Sequence, residues 1–240
     1  MKLSIVISVL NSHEILRRHF LSWSRMNLSD DVEFIIMDDG SIPPLQYPDH
    51  GLKNLTIYPT NDFRPWTVGI ARNAGAKLAK GTNILMCDID YIIPKDVFEV
   101  GLDFPEDKMK FRRRFGILDE YGNFSDDLNV LSSYGLLQDR IDKKGAMMPP
   151  HPNTFIIKKH VYEMMGGYDE ERIINNYPTH EDNDFKRRWV RLLNDGKVTE
   201  SSYRPTIYMF PNGQFCGDED YNPFGLFHNL SRKINHRMVT

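Results

Sequence analysis

The first ninety residues alternate between short apolar segments rich in β-branched side chains and longer segments with the apolar spacing of a helix. The strand-like segments cover residues 4–10, 32–37, 55–58 and 83–87, and the helix-like segments cover residues 13–26 and 68–79. Ser12 stands where it would cap the first helix. Strands that are apolar on both faces are typical of a parallel sheet covered by helices on both sides. The alternation therefore predicts an α/β fold with a mainly parallel sheet.

The rest of the chain is less regular, and we expect it to complete the same domain. The predicted elements are a strand with a basic face at 108–115, a turn-rich loop or lid at 119–152, a strand at 153–157, a short helix ending at 165, and a helix at 181–193. From residue 208 onward the chain is rich in aromatic side chains, Gly, Asn and His. That composition is typical of a flap that closes over a site rather than of a core.

The composition excludes several classes of protein. Hydrophobic residues make up 40% of the 240 residues and charged residues 26%, which is enough apolar material for a core and argues against disorder. The net charge of −3 provides no global positive field of the kind that drives nonspecific DNA binding. Cys87 and Cys216 form neither a CxxC pair nor a ladder with histidines, so neither a disulfide framework nor a structural zinc site is supported.

The apolar run at 3–10 is too short for a signal peptide and continues into polar residues. No segment approaches the roughly 18 apolar residues that a membrane-spanning helix needs. We therefore expect a soluble, cytoplasmic protein without a transmembrane segment.

Acidic and amide side chains follow three of the predicted strands. Asn11 follows the first, Asp38 and Asp39 the second, and Asp88 and Asp90 the one at 83–87. Because ligands of parallel sheets bind at the carboxyl ends of the strands, this placement is the first functional signal. One carboxylate of the Asp88–Asp90 pair could orient a sugar or ribose while the other binds Mg²⁺ or Mn²⁺. The alternative is a solvated turn, which a lone pair of this kind often is.

Three further groups have both a structural and a functional interpretation. Asp38 and Asp39 precede Gly40 and could form a simple turn, or they could accept hydrogen bonds from a nucleobase or ribose. Arg72 lies among small residues that would let it approach a phosphate, or it is a surface arginine. Glu181 and Asp182 begin the late helix, where the helix dipole favours acids in any case, or one of them is a general base.

In this order, the motifs resemble those of the family-2 glycosyltransferases, which have the GT-A fold. The resemblance covers roughly residues 2–193. It is carried by the segments 4–11, 37–41, 71–73, 87–90, 166–170 and 181–182.

The resemblance implies a single Rossmann-like GT-A domain, with a nucleotide-binding half at 1–91, an acceptor-binding half at 92–207 and a C-terminal flap at 208–240. It implies an inverting transfer of a sugar from a nucleotide-sugar donor, expected to be a UDP-sugar, with Mn²⁺ or Mg²⁺ as cofactor. The acceptor would be a hydroxyl group of a glycan or glycolipid.

The resemblance also implies roles for individual residues. The donor nucleotide would be bound by Asn11, Asp38, Asp39, Arg72 and Asp88, with Asp88 at the ribose or sugar. Asp90 would bind the metal, together with a histidine of the flap, for which His228 is the first candidate and His236 the second. The pocket for the donor sugar or the acceptor would be shaped by Gly166, Gly167 and Tyr168. Asp182, beside Glu181, would deprotonate the acceptor hydroxyl.

Two other functions stay open at this point. A nucleotidyltransferase also uses carboxylates at strand ends, but the Asn11–Glu14 segment lacks its glycine-rich phosphate loop. A noncatalytic nucleotide-sugar or glycan-binding module would tolerate loss of the acids at the helix start, yet both are present. The basic segments at 108–114 and 186–191 are expected to be solvated faces; only if both flank the cleft would they favour a polyanionic acceptor such as nucleic acid.

Overall fold

The computed structural model describes residues 1–47, 51–64, 67–133, 148–175 and 181–210. The first half contains the strand and helix segments that the sequence predicts, with ends shifted by one or two residues. In chain order they are β1 (Leu3–Val9), α1 (His13–Ser24), β2 (Val32–Asp38), β3 (Leu55–Pro59), α2 (Val68–Leu78) and β4 (Asn83–Asp88). Ser12 is the N-cap residue of α1, but its hydroxyl donates to the carbonyl of Leu10 instead of capping the helix.

The second half is built from shorter elements. They are β5 (Tyr91–Ile92), α3 (Lys95–Leu102), β6 (Lys108–Lys110), β7 (Arg112–Phe115), β8 (Ile117–Leu118), β9 (Phe124–Ser125), α4 (Leu128–Ser133), β10 (Phe155–Lys158), α5 (Lys159–Met164), α6 (Glu170–Asn175), α7 (Glu181–Asn194) and β11 (Thr206–Met209).

Within the described residues, a six-stranded sheet in the order β3-β2-β1-β4-β10-β6 forms the centre of the fold. The pairs β3–β2, β2–β1 and β1–β4 are parallel, whereas β10 runs antiparallel to both β4 and β6. Smaller sheets, β5-β11-β7 and β8-β9, lie beside it. The prediction of a mainly parallel sheet flanked by helices is confirmed.

Alternate side chains of each central strand enter two different cores. In β1, Ile5 and Ile7 pack into one core with α1 and α3, while Val6 packs into the other with α2, α5 and α7. This alternation follows from the two-residue period of a strand. Since both faces are covered, the strands are mainly apolar on both faces, which makes them recognisable in the sequence.

Three predictions for the second half are wrong in detail. The strand expected at 108–115 is divided at Phe111 into β6 and β7, which belong to different sheets. Its basic face is not uniformly solvated, because the Lys108 side chain is buried beneath the ring of Phe155, 4.0 Å from its centroid. The loop expected at 119–152 contains β9 and α4 in its described part.

The first three residues of the flap expected from residue 208 belong to the body of the fold instead. The strand β11 continues through Met209, and Phe210 is buried in a core with Ile92 and Phe115. The other residues of the expected flap, including His228 and His236, lie outside the described residues.

The remaining expectations concern membranes and thiols. In the described ranges, the helices are all too short or too polar to cross a bilayer. Cys87 is a buried free thiol, and Cys216 is outside the part of the chain that the structure describes. The cytoplasmic location stays a prediction.

Candidate active site

The polar ends of β1, β2 and β4 meet at one edge of the central sheet. Val9 in β1 pairs with Asp38 in β2, and Ser8 pairs with Asp88 in β4. The register therefore places the acidic groups of β2 and β4 on either side of β1. Their convergence, expected from the parallel arrangement, is observed.

Asn11 and Asp38 shape the loop that follows β2. Asn11 has a left-handed backbone (φ 53°), and its Oδ1 accepts a hydrogen bond of 2.8 Å from the Ile42 amide. The two carboxylate oxygens of Asp38 accept bonds of 2.9 Å from the amides of Ser41 and Leu45. Both side chains are buried, and their hydrogen bonds hold the backbone of the loop at the predicted nucleotide site.

Asp39 faces the beginning of α2. Its Oδ1 accepts a hydrogen bond of 2.7 Å from the Thr67 hydroxyl and one of 3.4 Å from the Thr60 hydroxyl. Arg64, which forms a bidentate pair with Asp62, is close enough for the charge of Asp39 to raise its pKa further. A loop carrying hydroxyl and guanidinium groups therefore borders the predicted nucleoside position.

Arg72 is the buried cation of the site. Its guanidinium donates to Oδ1 of Asp88, and a longer contact of 3.4 Å reaches the Tyr168 hydroxyl. Burial opposes the charged form, but Asp88 and Tyr168 outweigh it and raise the pKa of Arg72. Its Nε has no partner among the described residues, so a fixed positive charge with a spare donor stands beside the Asp88 carboxylate.

Asp90 lies in the turn between β4 and β5. Its Oδ1 is buried and has no hydrogen-bond partner among the described residues. Burial, together with the like charge of Asp88, raises the pKa of Asp90 to about 7. A divalent cation would offset both the burial of the Asp90 carboxylate and its repulsion from Asp88. The chemistry of this turn therefore fits the metal that the sequence predicts.

Two residues that the sequence analysis did not select belong to the same site. His151 Nδ1 lies 3.4 Å from Oδ2 of Asp88. Arg113 donates from Nη1 to the Tyr91 hydroxyl (2.5 Å) and from Nε to the Pro149 carbonyl (2.6 Å). Burial is the main reason that the pKa of His151 is lowered, although Asp88 opposes the shift.

Glu181 and Asp182 approach the site from the start of α7. The charge of Asp182 acts on His151, whereas the charge of Glu181 acts on Arg72 and Tyr168. Glu181 is buried and Asp182 is half-buried. Of the two acids, Asp182 is therefore the one that a bound hydroxyl could reach.

The Gly166–Gly167 turn is only indirectly connected to these carboxylates. Both glycines have positive φ, and a Cβ at Gly167 would collide with Oδ1 of Asn73. The side-chain Oδ1 of Asn73 accepts a hydrogen bond of 2.8 Å from the backbone amide of Tyr168 and thereby holds this tyrosine against Arg72. The glycines themselves line a cavity of about 550 Å³ that is bordered by neither Asp88 nor Asp182.

In the two basic segments, the exposure of the side chains and their contacts differ from one residue to the next. Arg113 points into the site, while Arg112 and Arg114 on either side of it are exposed. Lys186, Arg187 and Arg191 are exposed on α7, but Arg188 is held by Asp184 and two backbone carbonyls.

The chain matches the family model described as glycosyltransferase like family 2 over residues 4–230. None of the curated proteins matches the sequence.

Solved structures of the S. aureus protein TarS have a similar fold. The structure of TarS 1-349 is 18% identical and superposes with a TM-score of 0.56, covering 100% of this chain and 72% of that one. The complex of TarS 1-349 with UDP-GlcNAc is also 18% identical, with a TM-score of 0.55 and coverage of 88% and 58%. A longer TarS structure is 17% identical with a TM-score of 0.55. The match covers 98% of this chain and 40% of the TarS chain.

Proposed function

Because the chain belongs to the glycosyltransferase like family 2, we propose that it transfers a sugar from a UDP-sugar to a hydroxyl acceptor, with inversion and with a divalent cation. The observation that carries the proposal is the meeting of Arg72, Asp88 and His151 at one sheet edge, with Asp182 close enough to act on His151. Family membership favours a transferase over both the nucleotidyltransferase and the noncatalytic module.

The donor would lie along the carboxyl ends of β1, β2 and β4. Asp39 would hold the nucleoside, Asp88 the ribose or sugar, and Arg72 the phosphates. The buried, permanently charged guanidinium of Arg72 suits a leaving diphosphate, because electrostatic stabilisation is strongest away from water. The TarS complexes with UDP-GlcNAc and UDP support a uridine nucleotide as the donor class.

A divalent cation would be held at the turn that carries Asp90. Mg²⁺ and Mn²⁺ are commonly bound by one or two carboxylates together with substrate phosphates, so few protein ligands are needed. When bound, the cation would neutralise charge on the leaving diphosphate. The Oδ1 atom of Asp90, which has no hydrogen-bond partner in the part of the chain that the structure describes, supports this residue as a ligand. His228 stays the predicted histidine ligand.

Asp182 would act as the general base. The acceptor hydroxyl would give its proton to the Asp182 carboxylate while its oxygen bonds to the anomeric carbon of the sugar. The bond from that carbon to the diphosphate breaks, and its electron pair leaves with UDP. Attack from the side opposite the leaving group inverts the configuration, and a single base suffices for this reaction.

The acceptor would be a glycan or glycolipid hydroxyl. The exposed Lys186 and Arg187 lie on the helix that carries Asp182, whereas Arg112 and Arg114 belong to β7, which β11 separates from Tyr91 in β5. A polyanionic acceptor, nucleic acid included, stays the minority alternative. The rate of sugar transfer to a polyanionic acceptor would fall as the salt concentration rises from about 50 to 200 mM, whereas the rate of transfer to a neutral glycan would not change.

A screen of nucleotide sugars tests the proposal. Release of the nucleoside diphosphate from UDP-sugars, dependent on Mn²⁺ or Mg²⁺ and abolished by a chelator, is expected. Asp182→Asn separates chemistry from binding, since it should retain UDP affinity and lose turnover. Binding of UDP-sugars without turnover would favour the noncatalytic module, and the absence of any donor binding would contradict the proposal.

A further inference from the structure

His151 and Asp88 present two hydrogen-bond acceptors to each other. The Asn153 amide donates to His151 Nδ1 at 3.3 Å, so in this arrangement Nδ1 carries a lone pair and Nε2 carries the proton. Oδ2 of Asp88, 3.4 Å from the same nitrogen, is also a lone-pair atom. Two such atoms repel each other unless a positive charge lies between them.

The other oxygen of the Asp88 carboxylate already has a hydrogen-bond partner. Its Oδ1 accepts from the Arg72 guanidinium, which fixes the carboxylate plane and leaves Oδ2 directed at His151. His151 is fixed from the other side by the residues that follow it, because Asn153 also accepts a hydrogen bond of 3.0 Å from the Tyr168 hydroxyl. Both atoms are therefore positioned before any ligand arrives.

On these grounds we propose that His151 Nδ1 and Asp88 Oδ2 are a preformed pair of ligands for the divalent cation of the proposed function, with oxygen atoms of the donor diphosphate completing the site. This inference rests on the proposed function and deepens it. The cation would have one nitrogen ligand, His151 Nδ1, from the segment before β10. Its second protein ligand would be Oδ2 of Asp88.

The distance between the two atoms fits a shared cation. Two ligands at about 2.1 Å from one ion and at right angles to each other lie about 3.0 Å apart. The observed 3.4 Å is close to that separation. Ligation would replace the long hydrogen bond from the Asn153 amide, since the imidazole Nδ1 has one lone pair.

The pair alone is not a complete metal site. In the ranges that the structure describes, no group of three or more His, Cys, Asp or Glu side chains could hold an ion. Metal binding should therefore be weak in the free protein and tighten when a diphosphate supplies oxygen ligands. An imidazole ligand also favours Mn²⁺ over Mg²⁺, because Mg²⁺ prefers an all-oxygen shell.

Pulsed electron paramagnetic resonance of Mn²⁺ tests the inference directly, because a ligated imidazole nitrogen couples to the metal spin. The full chain carrying His228→Gln and His236→Gln is loaded with Mn²⁺ and UDP, so that neither flap histidine can supply the nitrogen. We expect nitrogen coupling in this background and its loss when His151→Gln is added. His160→Gln, which changes an exposed histidine at the start of α5, is the matched control and should keep the coupling.

A titration gives a second readout. Loss of a residue that merely orients a metal ligand costs about 10–100-fold in affinity. Loss of His151 as a ligand should therefore weaken Mn²⁺ binding in the presence of UDP at least about tenfold while Mg²⁺ binding changes less. Mn²⁺ and UDP bound together without nitrogen coupling in the His228→Gln, His236→Gln background would overturn the inference and leave the proposed function standing. Absence of UDP binding to the unaltered protein would instead contradict the proposed function itself.

Discussion

The Nε2 atom of His19 donates a hydrogen bond of 2.9 Å to the carbonyl oxygen of Ile89, the residue between Asp88 and Asp90. His19 is completely buried in α1 and stacks on the Trp23 ring at 4.9 Å. One face of α1 thereby fixes the turn from which both acidic side chains project. The helix that follows the first strand in the chain thus positions the centre of the site.

The stability of the protein should depend on the ionisation of His19. Burial lowers the pKa of His19 to about 4, although the bond to Ile89 opposes the shift. The folded state therefore keeps this residue neutral, and its contribution is complete above pH 6.5 and lost as the pH falls toward 4. We expect a loss of up to about 1.4 kcal/mol per pH unit in this window, measured by urea unfolding.

His19→Gln keeps a donor for Ile89 but cannot titrate, so its unfolding free energy should depend less on pH between 6.5 and 4. His160→Gln should retain the slope of the unaltered protein. Identical slopes for His19→Gln and the unaltered protein would show that His19 does not titrate as its burial predicts.

The buried pair of Arg72 and Asp88 should behave as a coupled unit. Asp88→Ala leaves the Arg72 guanidinium buried without its main counterion, and such a loss typically destabilises by about 3–5 kcal/mol. Replacing both residues, Arg72→Met with Asp88→Ala, should cost less than the sum of the two single changes. Additive values of the unfolding free energy in this double-mutant cycle would mean that the two side chains act independently.

Asp182→Asn should lower the transfer rate by about 10²–10⁴-fold, the usual contribution of a general base. Affinity for UDP should be unchanged, because the proposed function assigns this side chain to the acceptor hydroxyl and not to the donor. Glu181→Gln is the matched variant one residue earlier. Near-normal turnover of Asp182→Asn, together with inactive Glu181→Gln, would transfer the role of base to Glu181.

Lys108 should destabilise the fold near neutral pH. Burial lowers the pKa of Lys108 to about 7, and its amine lies 4.9 Å from the centroid of the Trp189 ring. Folding therefore favours the neutral amine, and stability should rise as the pH increases from 7 toward 10.5. Lys108→Met should remove this rise and increase the unfolding free energy at pH 7. The exposed Lys80→Met serves as the control, and an unchanged slope in Lys108→Met would contradict the assignment.

The sheet edge could be predicted because each local signal agreed with the global fold. The strands β1, β2 and β4 are apolar on both faces, and parallel strands necessarily bring their carboxyl ends together. The placement of Asp38 and Asp88 at one sheet edge followed from that rule alone.

His151 and Arg113 could not be found in the same way. His151 precedes β10, and β10 runs antiparallel to β4, so the residues before it return to the edge where β4 ends. Nothing in a segment of four strand residues reveals its direction. Arg113 occupies the inward position of a short strand between two exposed arginines, and the basic run looks solvated until the alternation of β7 is known.

The burial of Lys108 and the packing of residues 208–210 in the body of the fold both result from tertiary contacts. A lysine in a basic run is expected in solvent, yet here aromatic side chains of β10 and α7 cover it. Likewise β11 is added to β5 and β7 only by long-range pairing, which its own sequence does not indicate.

The most direct test of the account is the affinity for UDP measured calorimetrically with and without Mn²⁺, in the unaltered protein and in Asp90→Asn. If the carboxylates of the Asp88–Asp90 turn gather one cation and one diphosphate, Mn²⁺ should strengthen UDP binding to the unaltered protein and should strengthen it much less in Asp90→Asn. An equal gain from Mn²⁺ in both proteins would contradict the account.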